Sequence, residues 1–552
     1  MAEQIIHSTY LEDKNSGTTC INAVLKDTKT GATRIERYEN LPLRVWVTKD
    51  HLRKGQNTKL LCENMDNVDQ LIVDPLYLAQ EVSPHLFKGK PRWHKTVLNS
   101  PFIYAADVSN EIRVKQHKLA LSEERILEFS LSALDFETSM LSKEDTGYDY
   151  GSVIISSYCG TDGTVYQFVT KPFLPQDMST ETFIERVHAQ FKNDLKYMYK
   201  KANADTKALL DKYKPKLKLY VLDDEEAVLL QTCKCHLAKG GDFCSIWNID
   251  FDVPKLLERL KRYGHDPKQV LCDPEIPMHL RVCKYKKDNS KDLQHPSRAW
   301  NIFECSNKSQ MYCSLGLFSL STKFTGVADS YKLEDVATKY LGVGKVDIEE
   351  LGHYAMQKFH KVRYCSYGAI DPLVTFLLEK TINNIPHLTS ITEYSHMREY
   401  SHQTVLLSHR FFAYCKSKGV VPGCQCGQIV KDTDAEILNV GGNVIHPGLA
   451  GGTYANKNKA LHSTIPKEWT KCVLLVSDLD VTSQYPSIAQ VANISRDTKK
   501  LTILRIYGHA KNAILDFCSS YLAGQADAVH LCSTYFNLPN YTKMLKLWKK
   551  YK

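Results

Sequence analysis

The sequence predicts a mixed α/β protein of several domains with a β-rich amino-terminal part. The chain has 552 residues, which is too long for a single hydrophobic core and indicates roughly three or four domains. Residues 1 to about 125 contain short apolar runs separated by turn signals, whereas from about 126 strand-length apolar runs alternate with helical stretches. The second pattern is typical of an α/β domain with a mixed sheet.

Composition and charge place few limits on function. Hydrophobic residues make up 43% and charged residues 24% of the chain, as in an ordinary globular protein. The formal net charge of +9 permits a polyanionic partner without requiring one. The amino terminus lacks the apolar core of a secretory signal, and no stretch reaches the length of about 18 apolar residues needed to cross a bilayer. We therefore expect a cytoplasmic protein with no membrane partner.

The 17 cysteines are odd in number and scattered, so reduced thiols are expected rather than a disulfide framework. Two close pairs, Cys233 with Cys235 and Cys424 with Cys426, have one intervening residue. A structural zinc knuckle usually has two or more, and no second half lies nearby. No structural zinc is expected.

The predicted elements follow the chain in order. In the amino-terminal part, the apolar runs at 41–47 and 100–104 predict strands. In the α/β part, strands are predicted at 153–158, 165–169 and 218–222, and helices at 181–199 and 225–238.

An acidic pair follows the apolar run 126–134. Side chains alternate faces along a strand, so Asp135 and Glu137 should point one way and Leu134 and Phe136 the other. Two converging carboxylates repel each other unless a cation lies between them, and hard divalent cations prefer oxygen ligands. An acid-x-acid triplet is common by chance in a chain with 62 acidic residues, so an exposed strand end is the alternative.

Two further acids lie near predicted helix starts. Pro254 suggests that Asp252 lies in or next to a helix cap, and Pro372 suggests the same for Asp371. Taken singly, each aspartate is therefore interpreted as a cap. Tyr367 lies one helical turn before Asp371.

Together, these three segments resemble the three exonuclease motifs of family B DNA polymerases, the phage replicative type especially. The segments are Asp135-Phe136-Glu137, then Asn248 followed by Phe251-Asp252, then Tyr367 with Asp371. The stretch 331–345 also resembles the segment that the family carries between its second and third motifs. The family usually places five steps between the motif's Asn and its Asp, whereas Asn248 and Asp252 are four apart.

The resemblance implies a ribonuclease H-like 3′-to-5′ exonuclease domain. Asp135, Glu137, Asp252 and Asp371 would hold two divalent metal ions, Mg²⁺ or Mn²⁺, Tyr367 would orient the attacking water, and Asn248 would contact DNA. In the phage relatives a hairpin near 280–300 helps to part primer from template. Here the stretch predicts two strands around a polar turn, and Lys284, Lys286 and Lys287 would suit phosphate contact, although a solvated turn is the alternative.

A later segment resembles motif A of the polymerase palm. It runs from 473 to 488, after a glycine-rich stretch at 440–454 that is similar to the family's lead into the palm. The resemblance implies that Asp480 binds the catalytic Mg²⁺, that Ser483 and Gln484 face the nucleoside triphosphate, and that Tyr485 acts as the steric gate under the sugar. Gln484 stands where the family usually has leucine.

The implied domains are 1–125, β-rich; 126–384, exonuclease; 385–450, a return segment of the amino-terminal domain; 451–510, partial palm; and 511–552, the start of the fingers. The fingers lysine motif and the second palm carboxylate are not found after Asp480. A second polypeptide carrying the rest of the polymerase is therefore expected, and an apolar helical face formed by Met544, Leu547, Trp548 and Tyr551 would suit it.

The resulting prediction is the amino-terminal part of a family B DNA polymerase, either split or truncated, acting in replication. Its partners would be primer-template and single-stranded DNA, deoxynucleoside triphosphates and the second polypeptide. A sliding clamp is a possible further partner. The resemblance to phage polymerases is consistent with a viral protein that acts in a host cell. The alternatives are a free-standing 3′-to-5′ exonuclease and a non-catalytic DNA-binding scaffold, which would be expected to have lost the carboxylates.

Overall fold

The computed structural model describes nine stretches of the chain and two isolated positions, Thr542 and Lys546. The stretches are 3–53, 62–87, 93–117, 128–143, 148–286, 302–318, 330–344, 352–385 and 411–424 without 413. The chain divides into two compact units, Met1–Cys424 and Gln425–Lys552, and all the elements below belong to the first.

Small antiparallel sheets form the amino-terminal part, so the β-rich prediction is confirmed. One sheet has the order β1-β2-β3, a second has the order β6-β4-β7, and β5 pairs with β16. Two short helices and a third at the end complete this part. The elements are β1 Glu3–Asp13, β2 Thr18–Asp27, β3 Thr33–Glu39, β4 Leu43–Thr48, β5 Cys62–Asn64, β6 Val68–Val73, α1 Leu78–Leu86, α2 His94–Leu98, β7 Ile103–Tyr104, α3 Asn110–His117 and, much later in the chain, β16 Val420–Pro422.

A six-stranded mixed sheet forms the centre of the next part, in the order β11-β10-β9-β8-β12-β15. Strand β9 runs antiparallel to β8 and β10, whereas β11, β12 and β15 run parallel to their neighbours. The strands are β8 Leu131–Thr138, β9 Val153–Cys159, β10 Thr164–Thr170, β11 Lys216–Leu222, β12 Phe243–Ile246 and β15 Gln310–Cys313. The strands predicted at 153–158, 165–169 and 218–222 are thereby confirmed.

Helices cover both faces of this sheet. They are α4 Thr180–Lys201, α5 Ala204–Tyr213, α6 Glu225–Lys239, α7 Ile249–Arg262, α8 Pro267–Leu271, α9 Leu333–Leu341, α10 Gly352–Phe359 and α11 Lys361–Ile382. The helices predicted at 181–199 and 225–238 are confirmed as α4 and α6. None of the helices in the described stretches combines the length and the apolar character needed to cross a membrane.

The two faces of β8 belong to different apolar clusters. Leu134 and Phe136 pack with residues of α6 and α7, whereas Ala133 packs with residues of α4, α9 and α11. This alternation follows from the pleat of the strand. The α11 side of β8 is therefore also the side to which Asp135 and Glu137 belong.

The predicted helix start at Pro372 is wrong, whereas the prediction for Asp252 is correct only in placing it near a cap. Helix α11 begins at Lys361, so Pro372 is its twelfth residue and Asp371 lies in its middle rather than at a cap. Helix α7 begins at Ile249 with Asn248 as its N-cap, so Asp252 lies inside the first turns. Proline lacks an N–H and usually marks a helix start, but burial against the rest of the core supports α11 on both sides of Pro372.

A two-stranded antiparallel hairpin lies beside the sheet, as predicted near 280–300. Its strands are β13 Cys283–Lys286 and β14 Ile302–Cys305, so the second strand begins slightly later in the chain than predicted. The connection 287–301 lies outside the described residues.

Buried polar contacts join the amino-terminal sheet to the α/β part. Lys26 of β2 forms an ion pair with Asp242, whose carboxylate also accepts hydrogen bonds from the N–H and hydroxyl of Ser130 at 2.8 and 2.9 Å. The hydroxyl of Ser306 contacts Thr9 Oγ1 at 2.8 Å and accepts a hydrogen bond from Asn22 Nδ2 at 3.2 Å. Because these groups are buried, each needs its partner, and the two parts are fixed relative to each other.

Candidate metal centre

Strand β8 delivers two of the carboxylates. Phe136 is buried in the apolar cluster on one face of the sheet, so its two neighbours, Asp135 and Glu137, belong to the opposite face. Glu137 is 8% exposed and Asp135 is partly buried. The alternation predicted from the sequence is therefore confirmed, and the alternative of an exposed strand end is wrong.

Helix α11 brings the third carboxylate against this face. Asp371 is 2% exposed in the middle of the helix. Gly368, one turn earlier, faces the strand: a Cβ at this position would lie 3.3 Å from Glu137 Cγ. The lack of a side chain at Gly368 thus allows the helix backbone to approach β8 closely.

Asp135, Glu137 and Asp371 form a compact acidic group that could hold a metal ion. Each offers a carboxylate oxygen, and the three oxygens lie within 4.8 Å of one another. Carboxylate oxygens are the ligands that hard divalent cations prefer. Such a group, largely removed from water, is favourable when positive charge compensates it.

A hydrogen-bond network of Tyr364 and Gln357 fixes the orientation of Glu137. The hydroxyl of Tyr364, which is 1% exposed, donates to Glu137 Oε2. Gln357 Nε2 donates to Tyr364 Oη at 3.0 Å and to the backbone carbonyl of Thr138 at 2.9 Å, and Gln357 Oε1 accepts from the N–H of Met140 at 2.8 Å. Gln357 therefore connects helix α10 to the end of β8, so the carboxylate and its strand are positioned together.

His353 lies at the outer edge of this network. Its Nδ1 is 3.1 Å from Tyr364 Oη and 3.9 Å from Glu137 Oε2, and its side chain is 45% exposed. Its ring makes edge contacts with the rings of Tyr364 and Tyr367, each at 5.8 Å between centroids. His353 is thus the part of the network that meets solvent.

Tyr367 stacks on Tyr364 at 5.9 Å between ring centroids and is 5% exposed. Burial raises the pKa of Tyr367 far above its usual range, and the negative charges of Asp371, Glu137 and Asp135 raise it further. Burial, followed by the charge of Glu137, likewise raises the pKa of Tyr364. Both phenols therefore keep their protons at neutral pH and remain hydrogen-bond donors.

Asp252 belongs to helix α7, whose apolar residues pack in the same cluster as Phe136. It is 3% exposed, and its Oδ1 accepts a hydrogen bond from the N–H of Phe136 at 3.2 Å. Phe136 lies between the two acids of β8, so Asp252 contacts the same stretch of backbone that positions them. The structure does not bring Asp252 into the group of three, and its role as a metal ligand stays a prediction.

Two of the four predicted DNA-contacting residues, Asn248 and Lys284, have side chains that the structure describes. Asn248 is exposed at the start of α7, and its side chain makes no capping hydrogen bond. Lys284 is exposed on β13. The side chain of Lys286 and the whole of Lys287 lie outside the described residues, as do the motif A residues Asp480, Ser483, Gln484 and Tyr485 and the terminal face containing Met544.

Sequence reasoning missed Tyr364, Gln357, His353 and Gly368. Tyr364 precedes Tyr367 by three residues, so the two are neighbours on one helical face, and this spacing is a signal that could have been used. Gln357 and His353 belong to a separate helix, and nothing in their local sequence indicates that they reach Glu137.

No protein-family model matches this chain, and no curated protein matches it either.

Proposed function

We propose that this chain is a metal-dependent 3′-to-5′ exonuclease acting on single-stranded or frayed DNA ends. The observation that carries the proposal is that carboxylate oxygens of Asp135, Glu137 and Asp371 lie within 4.8 Å of one another. Glu137 on β8 and Asp371 on α11 are 234 residues apart in the sequence (371 − 137). This convergence links the first and third of the three motifs that resemble those of family B DNA polymerases. A six-stranded mixed sheet with the acidic strand β8 in its interior is compatible with a ribonuclease H-like domain.

The donor set fits hard divalent cations. All three side chains of the group offer oxygen, and Asp252, which accepts a hydrogen bond from the N–H of Phe136, is the fourth carboxylate of the predicted ligand set. When bound, a pair of Mg²⁺ or Mn²⁺ ions would supply activation of a water molecule and stabilisation of the leaving 3′ oxygen. Exposed Asn248 and Lys284 are suited to bind the DNA strand.

The protein's own groups would position the reactants. Tyr367 keeps its proton at Oη, so it can orient a water molecule through a hydrogen bond but cannot act as a base. Tyr364 donates to Glu137 Oε2 and so fixes the orientation of that carboxylate. A duplex end must be melted before its terminal nucleotide can enter a buried centre, which favours single-stranded and frayed ends.

The first test is cleavage of a DNA oligonucleotide by the purified chain in Mg²⁺ or Mn²⁺. We expect stepwise removal of nucleotides from the 3′ end, and Asp135→Asn combined with Glu137→Gln should abolish it. The matched control is Asp205→Asn combined with Glu185→Gln, a pair of exposed acids away from the centre. Full cleavage by the first double variant would refute the proposal.

The wider proposal is that the exonuclease proofreads for a family B DNA polymerase completed by a second polypeptide. It is supported by the resemblance of the segment 473–488 to palm motif A. Primer extension should appear when the chain is combined with a polypeptide carrying the remaining motifs. Asp480→Ala should then abolish extension and leave exonuclease activity unchanged. Exonuclease activity without extension in any such combination would favour a free-standing exonuclease instead.

A further inference from the structure

Three cysteine side chains meet at the base of the β13–β14 hairpin. Cys272 follows helix α8, Cys283 begins β13 and Cys305 ends β14. Cys272 Sγ lies 3.7 Å from Cys305 Sγ, and Cys283 and Cys305 are directly paired across the two antiparallel strands. We call these residues the thiol trio. None of them belongs to the carboxylate centre.

We propose that Cys272 and Cys305 form a reversible disulfide when the protein is exposed to hydrogen peroxide. A sulfur–sulfur distance of 3.7 Å is van der Waals contact, so bond formation requires the two sulfurs to approach by less than 2 Å, the difference between 3.7 Å and a disulfide length of about 2.05 Å. The inference does not depend on the proposed exonuclease function.

The surroundings make Cys272 the reactive member. Hydrogen bonds from Cys283 and then from Cys305 lower the pKa of the Cys272 thiol well below its usual range. The same contacts raise the pKa of Cys283 and of Cys305, because each of them keeps the proton that it donates to Cys272. These contacts favour the thiolate form of Cys272, and a thiolate is the form that attacks peroxide.

The reaction has two balanced steps. The Cys272 thiolate attacks one oxygen of hydrogen peroxide, so that an S–O bond forms, the O–O bond breaks and hydroxide leaves. Cys305 then attacks the Cys272 sulfur, so that the S–S bond forms, the S–O bond breaks and a second hydroxide leaves. The proton that Cys272 gives up on forming the thiolate and the proton of the Cys305 thiol neutralise the two hydroxides, and two electrons pass from the sulfurs to peroxide, giving two water molecules.

The local hydrogen bonds tolerate the loss of both thiol protons. Cys272 Sγ contacts the carbonyl of Val282 at 3.2 Å, and Cys305 Sγ contacts the carbonyl of Leu271 at 3.4 Å. Each carbonyl has a second donor: the N–H of Ser306 reaches Val282 O at 2.9 Å, and Asn307 Nδ2 reaches Leu271 O at 3.1 Å. Disulfide formation therefore leaves neither carbonyl without a donor.

The partial exposure of Cys283 and the hydrogen bonds that hold Ser306 also favour the reaction. Cys272 and Cys305 are 1% and 2% exposed, whereas Cys283 is partly exposed, so the trio has one edge in contact with solvent. The next residue after Cys305, Ser306, is held by Thr9 and Asn22 of the amino-terminal sheet. This support keeps the two sulfurs close in the reduced protein.

Cys233 provides a matched control within the same chain. It is 2% exposed, and burial raises its pKa to about 12. It is therefore a neutral thiol at physiological pH and should resist peroxide.

The experiment is oxidation of the folded full-length chain with hydrogen peroxide, followed by blocking of free thiols, proteolysis and mass spectrometry. We expect a peptide pair joined through Cys272 and Cys305 that dithiothreitol separates, while Cys233 remains fully alkylatable after denaturation. Cys283→Ala should slow formation of the cross-link several-fold, because it removes the hydrogen bond that Cys283 donates to Cys272. Absence of the 272–305 cross-link in the folded wild-type chain, or a cross-link through a different pair, would overturn the proposal.

A second readout requires no variant. The disulfide closes a loop across the base of the hairpin, so the oxidised chain should unfold at a higher temperature than the reduced chain. An unchanged or lowered midpoint in a sample whose cross-link has been verified would contradict the close fit inferred from the reduced structure.

Discussion

The carboxylate of Asp252 accepts a hydrogen bond from the backbone N–H of Phe136 at 3.2 Å, beyond Ala133, the last residue of β8 that pairs with β12. Strand β12 pairs with β8 through backbone hydrogen bonds as far as Ala133. Beyond that point, the side chain of Asp252 on helix α7 takes the place of a backbone acceptor. Asp252 therefore stabilises the end of β8, in addition to any role in metal binding.

Substitution of Asp252 should separate these two roles. Asp252→Ala leaves the buried N–H of Phe136 without its acceptor and should lower the free energy of unfolding by about 1 to 3 kcal/mol. Asp252→Asn keeps an acceptor oxygen but loses the charge, so it should unfold close to wild type and yet lose exonuclease activity. Urea denaturation and DNA cleavage measured on both variants check this, and an active Asp252→Asn protein would remove Asp252 from the proposed ligand set.

Tyr364 is expected to act on the metal centre through Glu137. Tyr364→Phe removes the hydroxyl that donates to Glu137 Oε2 and should weaken Mn²⁺ binding by about 10- to 100-fold. Calorimetric titration with Mn²⁺ measures the loss directly, and excess metal should restore part of the cleavage rate. Tyr354→Phe on α10 is the control, since Tyr354 is 48% exposed, and binding should not change. Equal affinities for the two variants would mean that Tyr364 has no part in positioning Glu137.

A buried ion pair secures the helix that carries Asp252. Arg259 of α7 bonds Glu225 of α6, and Glu225 also accepts hydrogen bonds from the N–H of Val153 at 2.7 Å and the hydroxyl of Tyr263 at 2.8 Å. Arg259→Met would leave a fully buried carboxylate without its cation and should cost about 3 to 5 kcal/mol in urea unfolding.

Arg262→Met is the matched comparison on the same helix. Its ion pair with Asp149 is exposed, with side chains 52% and 40% accessible, so the loss of stability should be much smaller than that of Arg259→Met. If both variants were equally stable, burial of the Arg259 pair would not be what holds α7 in place.

Glu379, two turns after Asp371 on α11, should make stability depend on pH. Burial raises the pKa of this carboxyl to about 7 from an unfolded value near 4.5, although the hydrogen bond from Ser314 opposes the rise. The folded state therefore binds the proton more tightly, and its contribution to stability, present below about pH 4.5, is lost as the pH rises towards 7 and above.

Glu379→Gln replaces the carboxyl with a neutral group of similar shape. The variant should lose less stability than the wild type between pH 5 and pH 8, a difference of a few kcal/mol at most. Urea midpoints at the two pH values give the comparison. A variant with the same pH dependence as the wild type would show that Glu379 does not titrate in this interval.

The sequence was sufficient for the parts of the site that depend on local periodicity. The alternation around Phe136 predicted the common face of Asp135 and Glu137, because the pleat of a strand alone determines it. The surroundings of Pro372 show the limit of local rules: proline usually begins a helix, but the apolar residues on both sides of it are buried in one continuous core. Gln357 and Tyr364 could not be predicted as partners of Glu137, because their meeting depends on how α10 and α11 dock on the sheet. The motif A residues lie outside the described stretches, so their roles stay predictions.

The alternation in β8 also has a consequence for insertions and deletions. Sliding this strand by one residue would place Phe136 among the carboxylates and push Asp135 and Glu137 into the apolar layer, at a cost of several kcal/mol for each buried charge. Such a shift would disrupt more than the metal centre, because Leu134 and Phe136 would also lose their contacts in the apolar core. A chain that folds at all must therefore present both acids on the α11 side, so that quality control of folding would also remove copies with a misaligned centre.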